Sequence, residues 1–265
     1  MAPVLACTET PEPESPDVET QSAPARAKPA ATPQQGSSKV DFEADAMLRS
    51  MSDYLGSLKS FSFQADHTIE VVLKTGEKQQ YVAASTVSVQ RPNKLRSDRR
   101  GEHADLSFIY DGKTVTLYGK RNNMYAQADA PDTIDGMIDF ARDKLDIDAP
   151  AADLLYSKPY EVLMEDVVSG SIVGPATIDD KPCTHLAFRG NNVDFQLWIQ
   201  DGGTPLPLRY VITTKDVKSE PQLIVQIHDW NTTPSLAPEL FTFAPPAGAQ
   251  KIEFLGLSQL KPGAK

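Results

Sequence analysis

The chain has 265 residues, enough for one large domain with a real core or for two smaller ones. Its 26 basic and 36 acidic residues leave a net charge of -10, which argues against nucleic acid or an anionic membrane surface as the main partner, since phosphate binding needs a concentrated positive footprint. Its two cysteines, Cys7 and Cys183, rule out a disulfide framework and a four-cysteine metal site, and no run approaches the roughly 20 apolar residues of a membrane-spanning helix.

Val4-Leu5-Ala6-Cys7 resembles the lipobox of bacterial lipoproteins, which makes Cys7 a candidate for lipidation. Only Met1 to Ala6 precede it, whereas a signal peptide needs a basic region and a longer apolar stretch, so this reading carries the expectation of an earlier start. The plain alternative is a chance cysteine. Thr8 to Lys39 carries Pro11, Pro13, Pro16, Pro24, Pro29 and Pro33 among Glu, Ser, Ala and Gln, with no aromatic residue. Such a segment buries too little to offset its ordering entropy and is expected to be disordered, either as a tether or as a tail without a role. Residues 1–40 are therefore separated from a folded domain at 41–256 and a flexible tail at 257–265.

Asp41 is placed to cap a helix in which Ala44, Met47, Leu48, Met51, Leu55 and Leu58 follow at helical spacing. Phe61, Phe63, Ala65, His67, Ile69, Val71 and Leu73 then alternate with polar residues as a long strand. Thr75 to Lys78 turns the chain, and Tyr81, Ala83, Val87 and Val89 return it. After Arg91-Pro92-Asn93 an antiparallel meander is expected. It has a short strand, then a strand with Leu106, Phe108 and Tyr110 on one face, and a tight turn at Asp111-Gly112. Val115 and Leu117 follow, and then Met124, Ala126 and Ala128. Pro131 is read as the first turn of a helix with Ile134, Met137, Ile138, Ala141 and Leu145 as its stripe, and Leu154 to Tyr156 as a second short helix before Pro159. Strands resume at Ile172 to Asp179, Cys183 to Phe188, Val193 to Ile199, Leu206 to Thr213 and Leu223 to Trp230. Phe241-Thr242-Phe243 is read as a closing strand and Lys251 to Leu255 as a weak final one.

A basic residue before Pro92-Asn93, a hydrophobic strand ending in Asp111-Gly112-Lys113-Thr114 and a strand closing on tyrosine resemble the bacterial outer-membrane lipoprotein carrier and receptor family, LolA and LolB. They also resemble a related family of predicted periplasmic proteins of unassigned function. Residues 41 to 255 fit that pattern in order and length. The resemblance implies an α+β fold: a strongly curved antiparallel sheet forming an incomplete, half-open β-barrel, with an N-terminal helix and lid helices around 131 to 157. It implies a periplasmic protein of a Gram-negative cell envelope that binds a hydrophobic ligand such as a lipid or acyl chains. Envelope sensing through a protein partner, with a self-filled cavity, is the alternative. Membrane contact would run only through an N-terminal lipid anchor. Arg91 matches the arginine that in the carrier holds the lid helices by hydrogen bonds to their carbonyl oxygens, a task suited to a guanidinium fork. Ser97 stands where the carrier has a tryptophan.

The residues themselves leave alternatives open. Arg91, Lys94, Arg96, Arg99 and Arg100 form a basic group that could equally be the solvated edge of a sheet. Phe63, Ile69, Val71, Leu106, Phe108, Val115, Leu117, Met124, Met137, Phe195, Leu197, Leu208 and Tyr210 are the candidate lining of a hydrophobic cavity, or else a packed core. His67, His103, His185 and His228 are scattered; Cys183 and His185 offer two ligands without a third, so no metal or cofactor is expected. Ser169-Gly170-Ser171 lacks the context of a nucleophile elbow or a phosphate loop, and no carboxylate pair stands out, so no catalytic residue is assigned.

Overall fold

Phe61, Phe63 and Ala65 are buried while Gln64 and Asp66 are exposed, and this alternation makes β1 (Ser60–Val72) the middle of the sheet. The computed structural model describes residues 39–102, 105–147, 149 and 151–254; the expectations for 1–38, including Cys7, and for the 257–265 tail lie outside them. On one side of β1 follow β2 (Lys78–Gln90), β3 (Lys94–Gly101), β4 (Asp105–Tyr110), β5 (Thr114–Gly119) and β6 (Met124–Asp129). The other half is built from β7 (Val167–Ile178), β8 (Lys181–Gly190), β9 (Val193–Gln200), β10 (Pro207–Thr214) and β11 (Gln222–Asn231), and β11 pairs with β1. With β12 (Gln250–Ile252), the order is β12-β6-β5-β4-β3-β2-β1-β11-β10-β9-β8-β7. The outermost strands are not paired to each other, so the barrel stays open. Every described neighbour pair is antiparallel except β12 on β6, which is parallel.

Directly opposed residues of an antiparallel ladder share a face, so the concave side can be read across strands. Its first row is Phe61, Val89, Leu95, Tyr110, Val115 and Ala128; the second is Phe63, Val87, Ser97, Phe108, Leu117 and Ala126. In the other half Leu186, Leu197, Tyr210 and Val225 form a continuous row that reaches His67.

Helix α1 (Phe42–Ser57) lays Ala44, Leu48, Met51 and Leu55 against this face, all four fully buried. Their spacing of three and four residues puts them on one stripe. Asp41 occupies the N-cap position but its side chain makes no capping bond. Helix α2 (Ile134–Leu145) adds Ile134, Met137 and Ala141. It begins three residues after Pro131, because the Thr133 hydroxyl caps it by accepting from the Gly136 amide at 3.1 Å. A 3-10 turn at Ala152–Leu155 follows, and Pro159 then starts α3 (Pro159–Met164) instead of ending a helix. A missing N–H costs nothing in a helix's first turn, so that proline reads either way in sequence.

Two further expectations are corrected. Strand β7 begins at Val167, not Ile172; it is an edge strand with Val168 and Val173 exposed, and its register shifts between Ile172 and Gly174, so the hydrophobic alternation that marks a buried strand is missing. Phe241-Thr242-Phe243 is not a strand. Pro238–Phe241 forms a 3-10 turn on the convex face, held by a bond from Arg96 Nη1 to the Leu240 carbonyl at 3.1 Å. Phe241 is buried and the Phe243 ring packs on Tyr118 and Tyr125, with centroids 5.5 and 5.0 Å away. Prolines 238, 245 and 246 deprive the segment of ladder donors.

Candidate functional site

The concave face divides into a covered and an uncovered end. Under the helices, Phe61, Val89, Tyr110, Val115 and Leu197 are wholly buried together with Leu48, Met51, Leu55 and Met137, so this end is filled by the protein's own side chains. Of the residues read as cavity lining, Phe63, Val115, Met137, Phe195, Leu197 and Tyr210 belong to this packed cluster. Leu208 is buried outside it. Burial fades along the strands away from the helices: Ile69, Leu106, Phe108 and Leu117 are half-buried, and Val71 and Met124 are 40% and 37% exposed. The sequence reading groups the thirteen as one lining, twelve on the strands and Met137 on the cover; the structure puts six in the packed core and six toward an apolar mouth, with Leu208 buried apart from both.

The cover is held by a small set of polar bonds. Arg91 Nη2 donates to the carbonyls of Leu155 and Tyr156 at 3.0 and 2.8 Å, where the 3-10 turn ends and its carbonyls lack partners within the turn. Burial lowers the pKa of this guanidinium while Asp135 works in the opposite sense. The same Asp135 accepts from the Ser157 amide at 2.9 Å, and Tyr156 donates to Asp139 at 2.8 Å, tying α2 to the segment that Arg91 grips. From the sheet, Tyr210 donates to Asp153 at 3.3 Å, and burial drives its phenol well above the ordinary range. Tyr110, fully buried, donates to the Pro131 carbonyl.

At the uncovered end one row changes character. Ala65 stands opposite Ser85, Ser85 opposite Arg99, and Arg99 opposite Leu106. His67, one row further, hydrogen-bonds the Ser85 hydroxyl at 2.8 Å. Burial first, and then the charge of Arg99, holds the imidazole pKa at about 4, so it is neutral at neutral pH. Arg99 is half-buried, and its Nε, fully enclosed, has no hydrogen-bond partner among the described residues. Sequence reasoning leaves Arg99 in an undivided basic group. The ladder separates it: Arg99 lies on the concave face, whereas Arg96 and Arg100 face outward, against Asp98 and Asp105.

Among the described residues no three His, Cys, Asp or Glu side chains gather as metal ligands. Cys183 is buried, and His185 stacks on Trp198 with ring centroids 3.9 Å apart.

This architecture, an open antiparallel sheet with helices laid across its concave face, has partial likeness to several solved structures. An uncharacterized conserved protein from Thermus thermophilus matches with a TM-score of 0.48 at 12% identity, over 80% of this chain and 99% of that one. LprF from Mycobacterium bovis matches with a TM-score of 0.43 at 16% identity, over 75% and 98% of the two chains. A LolA superfamily protein from Nitrosomonas europaea matches with a TM-score of 0.39 at 12% identity, over 75% and 97%. The chain belongs to the DUF2092 family of predicted periplasmic proteins, whose model matches residues 44–255, and is accordingly a protein of the periplasm. A search of the curated proteins gave no match.

Proposed function

We propose that this protein binds a hydrophobic ligand, a lipid or acyl chains, without catalysing a reaction, and that the ligand is taken up on the concave face as the helical cover lifts. The observation that carries this reading is the apolar face itself, which runs on beyond its cover: Leu106, Phe108, Leu117 and Met124 are only partly buried and adjoin the core row without a break. An acyl chain laid there would gain about 0.8 kcal/mol per methylene removed from water, so a few carbons suffice for useful affinity. Arg91 would act as the latch, since its two bonds join β2's end to the cover and would be broken in an opened state.

The filled state of the covered end supports a second reading, in which the cavity stays occupied by Leu48, Met51, Leu55 and Met137 and the partner is another envelope protein. Native mass spectrometry of protein purified from its host membranes separates the two. Co-purified lipid, released more readily from Arg91→Leu than from wild type, is the expected result; ligand-free protein that also fails to take up an apolar fluorescent probe would sink the lipid reading and leave the second.

A further inference from the structure

We propose that the uncovered end of the concave face holds the anionic head, carboxylate or phosphate, of an amphiphile, with Arg99 as its ion-pairing residue and Ser85 and His67 beside it. The inference rests on the hydrophobic-ligand reading and specifies the chemistry of the ligand's polar end.

In the three concave rows followed across β1–β6, Arg99 is the charged side chain; the other positions are apolar, glycine or serine. The chain has 36 acidic residues, yet among the described residues Arg99 has no carboxylate or carbonyl partner and its enclosed Nε bonds to nothing. Its neighbours in the basic group have partners: Arg96 bonds Asp98 at 2.6 Å, Arg100 lies 3.7 Å from Asp105, and Arg91, whose Nε is likewise enclosed and unbonded among the described residues, reaches two carbonyls through Nη2. Taking a guanidinium partly out of water with no counter-charge is unfavourable, and an incoming anion relieves that cost through two parallel N–H···O bonds. Ser85 and the neutral His67 add hydrogen-bonding capacity without competing charge. Leu106 lies directly opposite Arg99, with Phe108 and Leu117 in the next row, so a tail leaving the head meets apolar surface at once.

The test measures binding of oleate, oleyl alcohol, dodecyl phosphate and inorganic phosphate to the full chain and to Arg99→Gln and Arg99→Lys, each variant checked for native circular dichroism. Oleate is expected to bind about tenfold more tightly than oleyl alcohol, from one charge-assisted interaction. Arg99→Gln should erase that difference by weakening oleate to the level of the alcohol, and Arg99→Lys should keep part of it. Inorganic phosphate alone should bind far more weakly than dodecyl phosphate. Equal binding of phosphate and dodecyl phosphate would make this a free-anion site and overturn the proposal. So would a charge preference that survives in Arg99→Gln, or its absence from wild type; in those outcomes the hydrophobic reading stands. If no amphiphile binds at all, both fall together.

Discussion

The two ends of the concave face come from the same alternating strands yet differ in what meets them. Where α1 and α2 lie across the sheet, each apolar residue finds another, and Leu48, Met51 and Tyr110 lose all contact with solvent. Further along β1 and β4 the burial fades, and the same alternation leaves Val71 exposed and Leu106 half-covered. Period-two patterning therefore decides which way a side chain points, while the docking of helices decides whether it becomes core or binding surface.

The sharpest way to break the contrast is truncation at each end. Leu48→Ala should cost about 3 kcal/mol in urea unfolding, through lost transfer energy and a cavity, whereas Met124→Ala should cost less than about 1 kcal/mol. Similar costs would mean that the ends are not energetically distinct. An effect of comparable size belongs to acid. The unfolded chain protonates His67 near 6.5 but the folded one only near 4, so stability is complete above pH 6.5, declines as pH falls toward 4, and levels off below. Roughly 3 kcal/mol is at stake, and His67→Gln should flatten that part of the pH profile.

Smaller is the latch. Arg91→Leu removes two charge-assisted bonds and should open the 152–164 segment by about 2 kcal/mol, read as faster amide exchange there with little change in β8 to β10. Uniform acceleration across the domain would deny the cover its separate motion. Least is the convex side. Burial raises the Asp98 pKa, but hydrogen bonds from Arg96, Ser107 and Lys120 outweigh it and hold the carboxyl at about 2. The support Asp98 gives is present above pH 3.8 and lost as pH falls through 2. Being partly solvent-screened, Asp98→Asn should cost only about 1 kcal/mol at pH 7.

Legibility in the sequence follows the range of the forces involved. The Asp111-Gly112 turn is local: Gly112 sits at φ 95°, and Asp111 Oδ1 accepts from the amides of Lys113 and Thr114 at 2.9 and 2.8 Å. Strand β1 and helix α1 announce themselves by periodicity. The pairing of Arg91 with carbonyls 64 and 65 residues away is suggested only through family resemblance, since nothing near Arg91 specifies it. The split of the basic group is invisible in sequence, because it depends on the register of β3 against β2 and β4. Helix α3 and the convex-face turn at 238–241 are equally hard to read, because proline-rich, weakly periodic segments are positioned by tertiary contact.

The short stretch before α1 also has a mechanical side. Val40 bridges Gly170 of β7 in parallel, with the Asp41 amide bonded to the Gly170 carbonyl at 2.9 Å and the Gly170 amide to the Lys39 carbonyl at 3.2 Å. A force applied at Lys39 would therefore meet this pairing with an outer strand before it reached the first turn of α1.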